Sequence, residues 1–105
     1  MTAAEFIKNI PNRVNKDAIA DDNARFHFDM DGEGGGQYTL VIDNGDVRVE
    51  EGLQGSADCK VSGKAKTLAA IAQGKENPMT AFMFGKVKTS NTGMLMKYAG
   101  KLGLM

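Results

Sequence analysis

The chain has 105 residues, of which 42% are hydrophobic and 25% charged, and its 13 basic and 13 acidic side chains cancel. This length and composition predict one globular domain over residues 1–105. A neutral chain lacks the basic surface of a general nucleic-acid-binding protein, so we expect no nucleic-acid partner. The lone Cys59 excludes an internal disulfide and a zinc site built from several cysteines.

Residues 1–22 predict one helix followed by a loop. The run from Thr2 to Glu5 matches a capping box, in which Thr2 caps the helix and Glu5 reaches back to it. Apolar residues follow at helical spacing, and Pro11 predicts a break or kink near Ile10. Residues 15–22 are expected to form a loop.

Three features of the chain bear on where the protein resides. The first residues lack the layout of a signal peptide, and the last residues do not match a peroxisomal signal. The longest apolar run is far shorter than the roughly 18 residues that suggest a membrane span. We therefore expect a cytoplasmic protein.

Five short runs between residues 25 and 88 alternate apolar and polar side chains. Such alternation predicts antiparallel strands with one apolar face and one wet face. Asn44-Gly45, between the second and third runs, is a strong hairpin signal. The alternation places His27 on the wet face and Cys59 on the apolar face.

Three further helices are predicted in the second half of the chain. Ser62 is expected to cap a helix that ends at Gly74. Asn77 and Pro78 begin a shorter helix, and a last helix begins near residue 91. Because strands and helices partly segregate, the fold class is α+β, with helices on the apolar face of one sheet.

The short helix that follows Asn77 is apolar on nearly every face, from Met79 to Phe84. Such a helix must be buried or must line an apolar space. Its methionines favour an adaptable lining because their side chains are flexible, although an ordinary core is the alternative. Lys75 and Lys86 flank the helix, which suggests contact with acidic lipid headgroups or a membrane surface.

Catalytic groups are sparse. His27 lies near Asp29 and could act as a general base, but a solvated surface residue is the alternative. Cys59 could be a nucleophile, yet its position predicts a small buried hydrophobe. The acidic run that begins at Asp29 lacks the spacing of a calcium loop. We therefore predict a protein that is not an enzyme and holds no metal or cofactor.

Stretches in the second half of the chain resemble the sterol carrier protein 2 domain family. The alternating strand at 57–62 is followed by a helix that leads into Gly-Lys-Glu-Asn-Pro at 74–78. Residues 81–88 then read Ala-Phe-Met-Phe-Gly-Lys-Val-Lys, and residues 43–47 resemble the family's earlier hairpin. The resemblance covers nearly the whole chain in order.

The resemblance implies a single five-stranded, mostly antiparallel sheet with four or five helices covering one face. Between sheet and helices it implies an apolar tunnel for fatty acids, fatty acyl-CoA or sterol-like lipids, with no catalysis and no cofactor. By position, the tunnel would be lined by Phe28, Leu40, Phe82, Met83, Phe84, Val87, Leu95, Met96, Tyr98 and Leu102. We expect a monomer that makes transient contact with membranes. The alternative is a non-binding accessory or interaction module for a separately encoded lipid-metabolising enzyme.

Overall fold

The computed structural model of the chain describes residues 1–102. The last three residues, which do not match a peroxisomal signal, lie outside this part. The elements in chain order are α1 (Ala3–Arg13), a 3₁₀ helix (Lys16–Ile19), β1 (Asn23–Asp31), β2 (Gly36–Asp43), β3 (Asp46–Glu51), β4 (Cys59–Lys64), α2 (Ala65–Ala72), α3 (Pro78–Met83), β5 (Val87–Thr89) and α4 (Thr92–Ala99). This arrangement confirms the predicted α+β class.

The five strands form one sheet in the order β3-β2-β1-β4-β5. Neighbouring strands are antiparallel except β1 and β4, which are parallel. The sheet is therefore five-stranded and mostly antiparallel, as predicted. Asn44 and Gly45 join β2 to β3 with positive φ angles of 47° and 88°, as a type I′ hairpin turn requires.

Helix α1 begins as its sequence predicts and ends later than expected. Thr2 Oγ1 accepts a hydrogen bond from the backbone amide of Glu5 at 3.1 Å. The helix continues through Pro11, and the amide of Val14 still bonds to the carbonyl of Ile10 at 3.0 Å. A proline close to the end of a helix removes one hydrogen bond without a following turn to disrupt. The helix therefore does not break near Ile10 but ends at Arg13, three residues later.

Two other element boundaries differ from the prediction. The expected loop over 15–22 contains the 3₁₀ helix, whose Ile19 is fully buried in the core. Helix α2 was expected to be capped by Ser62, but that residue is paired with Lys88 inside the sheet. Strand β4 therefore runs on to Lys64, and α2 starts without a side-chain cap.

One hydrophobic core lies between the sheet and the helices. Helix α1 supplies Phe6, Ile7 and Ile10, all fully buried, because its apolar residues form a single stripe. Strands β1 and β2 supply the facing layer, in which Phe26 is paired with Leu40. No helix within residues 1–102 is both long and apolar enough to cross a membrane.

The centre of the opposite face of the sheet is shielded from solvent. The crossover at residues 52–58 runs from β3 to β4 and covers β1 and β2. Thr39 Oγ1 donates to the carbonyl of Gly52 and accepts from the amide of Gln54, both at 2.8 Å. His27 Nε2 donates to the carbonyl of Gln54 at 2.9 Å, and its residue is only 7% exposed. The prediction of a solvated His27 is wrong because strand alternation does not reveal which segment crosses the sheet.

Candidate functional site

The structure places eight of the ten predicted lining residues in or against the hydrophobic core. Phe82 and Met96 are partly buried and pack against the hydrophobic core. Six more are buried within that core: Phe28, Leu40, Val87, Leu95, Tyr98 and Leu102. These eight residues therefore belong to, or pack against, the one hydrophobic core.

Met83 and Phe84 do not join this group. They are 77% and 75% exposed, although the sequence predicts both as lining residues. Helix α3 is only six residues long and fully buries only Ala81. A helix that is apolar all round cannot be covered on every side by one layer of neighbours, so part of its apolar surface stays at the protein surface.

The exposed end of α3 has a defined backbone geometry. Gly85 adopts a φ of 73°, a left-handed conformation that glycine accepts without strain. Its amide donates to the carbonyl of Phe82 at 3.1 Å, and the amide of Lys86 donates to the carbonyl of Ala81 at 2.9 Å. This pair of bonds is a Schellman cap. The same pair of bonds closes α2 at Gly74, so Gly74-Lys75 and Gly85-Lys86 each mark a helix end.

The beginning of α3 is capped equally well. Asn77 Oδ1 accepts hydrogen bonds from the amides of Met79 at 2.8 Å and Thr80 at 3.3 Å. Pro78 occupies the first helical position, where its missing N–H costs nothing. Caps at both ends keep α3 helical even though little of it is buried.

Helix α4 is fastened to the start of β1 by a polar contact. The hydroxyl of Tyr98 donates to Asp22 Oδ2 at 2.9 Å, and Lys101 Nζ lies 3.5 Å from the same oxygen. The Tyr98 ring also meets Phe26 edge-on, with ring centroids 5.3 Å apart. Burial, followed by the hydrogen bond to Asp22, raises the pKa of Tyr98 to about 12. The same bond lowers the pKa of Asp22, with help from Lys101.

Sequence reasoning did not identify Asp22 as part of this site. It lies 76 residues from Tyr98 in the chain, and nothing in the local pattern links the two. Tyr98 itself was predicted as a lining residue from the family resemblance. The structure adds that its polar end is already bonded, so it offers a ligand mainly its ring.

Two open clefts lie at the surface beside this group. One has a volume of about 820 Å³ and is bordered by Phe84, Gly63 and several charged residues. The other, about 590 Å³, lies at the glycine loop around Gly34. Neither is lined by the eight predicted residues that pack together. The apolar tunnel between sheet and helices therefore stays a prediction.

The candidate catalytic residues occupy structural positions. Cys59 is fully buried, with its Sγ 3.2 Å from Thr89 Oγ1, which confirms the prediction of a buried side chain. His27 lies beneath the crossover and lines neither cleft. Among residues 1–102, no three His, Cys, Asp or Glu side chains come together as metal ligands would.

Comparison with known sequences decides the family. The model of the "SCP-2 sterol transfer family" matches residues 4–102. The chain belongs to this family. It is 44% identical over 70 residues to sterol carrier protein 2 of Gallus gallus, which covers 64% of this chain and 13% of that protein. The family pattern that the sequence shows at residues 74–88 is thereby confirmed.

Other relatives carry the same unit in different settings. The chain is 31% identical over 103 residues to hydroxysteroid dehydrogenase-like protein 2 of Xenopus tropicalis, covering 96% of this chain and 25% of that protein. The solution structure of palmitated SCP2L2 from Aedes aegypti has a similar fold, with a TM-score of 0.76 and 20% identity over 97% of this chain and 95% of that one. The chain thus spans 13% and 25% of these two sequence relatives, and nearly all of the structural one.

Proposed function

We propose that this chain is a non-catalytic carrier that binds apolar lipids between the sheet and helices α3 and α4. The observation that carries the proposal is the family match over residues 4–102. A relative named sterol carrier protein 2 and a structural neighbour described as palmitated support a ligand of this kind. Fatty acids, fatty acyl-CoA and sterol-like lipids are the ligand classes, and binding needs no cofactor.

The partly buried side chains near helices α3 and α4 support entry of a lipid beneath α3. Phe82, Met94 and Met96 are partly buried and pack against the core. Methionine side chains rearrange easily around a guest molecule. Helix α3 buries only Ala81 fully, whereas α4 buries three residues and is bonded through Tyr98. Moving α3 therefore disrupts less packing than moving α4, and α3 is the wall that we expect to shift.

The interior should close when no lipid is present. An empty cavity of roughly 300 Å³ would cost about 7 kcal/mol, at about 24 cal/mol per Å³. That is comparable with the roughly 5–15 kcal/mol by which a whole domain is stable. The packed core of this structure fits that expectation, because a vacant tunnel would consume most of the stability.

A bound lipid would supply the energy that opens the interior. Burying about ten methylene groups gives about 8 kcal/mol. Association costs about 4–15 kcal/mol in lost freedom and ordering. Because the second quantity offsets much of the first, we expect affinities far weaker than picomolar. Selectivity should be broad, because the lining is apolar and the Tyr98 hydroxyl is already bonded to Asp22.

Native mass spectrometry and thermal shift test the proposal. The chain is purified gently, examined for lipid adducts, and then titrated with palmitate, palmitoyl-CoA and cholesterol. We expect an adduct or a melting temperature that rises with ligand, weakened by Phe82→Ser and unchanged by Leu53→Ser. Leu53 is a matched control because it is exposed and lies on the crossover. Absence of every adduct together with no shift by any of the three ligands contradicts lipid binding.

An accessory module is the second candidate. Its supporting observation is that this unit matches 25% of a protein named as dehydrogenase-like, so the unit occurs beside other domains. In that case the interior stays filled and the chain serves a separately encoded lipid-metabolising enzyme. Negative lipid titrations combined with a raised rate of such an enzyme on adding the chain would favour this candidate.

A further inference from the structure

Three large apolar side chains are exposed together on α3 and the turn after it. Met79, Met83 and Phe84 are 41%, 77% and 75% exposed, and we call these three residues the apolar tip. Among residues 1–102 only Met1 and Leu53 are other large hydrophobic residues with comparable exposure. Single exposed hydrophobics are ordinary, but a cluster marks a surface that contacts something else.

The tip is presented by a capped helix and not by a frayed end. The caps at Asn77 and Gly85 hold the backbone on either side of it. Because the backbone is hydrogen-bonded at both ends, the exposure of Met83 and Phe84 belongs to the folded structure. Because the helix is already formed, less conformational entropy is lost when these side chains insert into a partner.

Lysines flank the apolar tip in the sequence. Residues 75–88 contain Lys75, Lys86 and Lys88 and only one carboxylate, Glu76. Glu76 is already bonded to Lys86 at 2.8 Å. No ion pair involves Lys75 or Lys88 within the part of the chain that the structure describes. This segment therefore carries a local positive excess in a chain whose net charge is zero.

The cleft beside Phe84 is also lined by more basic than acidic side chains. It is lined by four lysines and three carboxylates, so its acidic residues do not cancel its basic ones. These charged residues are Lys64, Lys66, Lys86, Lys88, Asp29, Asp31 and Glu76. An apolar centre with a cationic border complements a surface that is apolar inside and anionic outside.

We propose that the apolar tip and its bordering lysines dock the protein on the surface of an anionic lipid bilayer. Met83 and Phe84 enter the boundary between headgroups and acyl chains, while Lys75 and Lys88 remain at the level of the phosphates. The docking does not require the chain to hold a lipid inside, so it stands apart from the proposed carrier function.

Two other arrangements fit the structure less well. The apolar residues of helix α1 are not available to enter a membrane, because Ala3, Phe6, Ile7 and Ile10 are at most 1% exposed and belong to the core. A second copy of the chain is disfavoured as the partner of the tip. In a two-fold dimer the same patch meets itself, which would bring the lysines of both copies together.

Vesicle co-sedimentation tests the proposal with the full chain. We expect binding to vesicles of phosphatidylcholine mixed with phosphatidylserine, and much weaker binding to phosphatidylcholine alone. The double variant Met83→Ser/Phe84→Ser should reduce the partition coefficient about tenfold or more. Replacing Lys75 or Lys88 by Gln should reduce it about fivefold each, and added salt should reduce it further.

Matched controls keep the result interpretable. Leu53→Ser removes an exposed hydrophobic residue outside the apolar tip, and Lys16→Gln removes an exposed lysine from the 3₁₀ helix, so both should bind like the parent chain. A melting curve confirms that each variant is folded. The proposal is overturned if the parent chain ignores anionic vesicles, if the tip variant binds normally, or if Leu53→Ser weakens binding equally.

Two measurements distinguish bilayer docking from self-association and from lipid carriage. Light scattering that shows a dimer abolished by the tip variant would overturn bilayer docking and identify a self-association surface. Native mass spectrometry of the tip variant separates docking from lipid carriage. Retained lipid adducts with lost vesicle binding would support docking at the tip. Vesicle binding unchanged in the tip variant would overturn docking alone and leave the carrier function standing.

Discussion

Helices α1 and α3 both contain a proline and several apolar residues, yet they bury their apolar side chains to very different extents. Helix α1 buries four residues along one stripe, whereas α3 buries only Ala81. The difference lies in how the apolar residues are arranged around each helix. One stripe can be covered by one neighbouring layer, but an all-round apolar helix cannot. The surplus apolar surface of α3 is what remains available for a ligand or a membrane.

The largest expected effect comes from the α1 side of this comparison. Phe6→Ala should lower the free energy of unfolding by about 3–5 kcal/mol, because Phe6 is fully buried and its loss leaves a cavity. Urea denaturation followed by circular dichroism measures the change. A loss below about 1 kcal/mol, the usual scale of a surface substitution, would show that α1 does not anchor the core as described.

A smaller effect tests whether irregular surface segments can be held as firmly as α1. Thr39→Val keeps the shape of the side chain but removes both hydrogen bonds to the crossover at Gly52 and Gln54. We expect about 1–3 kcal/mol of destabilisation, because buried backbone groups lose their partner. Thr39→Ser keeps the hydroxyl and should cost less. Equal losses in the two variants would assign the effect to packing and not to hydrogen bonding.

Helix α4 should behave like α1 and not like α3, because Tyr98 fastens it. Tyr98→Phe should lower the melting temperature by roughly 5 °C near neutral pH. The pKa of Tyr98 is raised from 10.0 to about 12, so the folded state holds this proton more tightly than the unfolded state. Its stabilising contribution is complete below pH 10 and is lost as pH rises toward about 12.

The stabilising contribution of Asp22 depends on pH in the opposite direction. The pKa of Asp22 is lowered from 3.8 by the Tyr98 hydrogen bond, so its contribution is present above that pH and is lost as pH falls below it. Melting temperatures of the parent and Tyr98→Phe should therefore converge in both acid and alkali. A constant difference across the whole pH range would mean that the hydroxyl acts through packing alone.

Local sequence patterns predicted the elements of the fold, but contacts between residues far apart in the chain could not be predicted from them. Alternating runs identified the strands, and Asn44-Gly45 identified the hairpin between β2 and β3, since each depends on residues adjacent in the chain. The crossover over His27 could not be predicted, because strand alternation reports only two faces and not what lies on them. The Tyr98 to Asp22 bond was hidden for a similar reason, as its partners are far apart in sequence.

Most of the residues of the candidate site were predicted correctly as buried or partly buried, but two of them were not. Eight of the ten proposed lining residues pack together, because family position and apolar character both place them inward. Met83 and Phe84 were assigned to the lining by their position in the family resemblance. Their exposure depends on how few neighbours reach a six-residue helix, which composition alone does not reveal.

The smallest expected effect on stability is that of substitutions at the end of α3. Met83→Ser/Phe84→Ser should change the free energy of unfolding by no more than about 0.5 kcal/mol, because both side chains are already mostly in water. Hydrogen exchange should show amides of α3 opening more readily than those of α1, since so little of α3 is buried. A large loss of stability, or α3 amides as protected as those of α1, would mean that the tip packs inward in solution. In that case α3 would be a second structural helix like α1, and its apolar surplus would no longer point to a ligand or a bilayer.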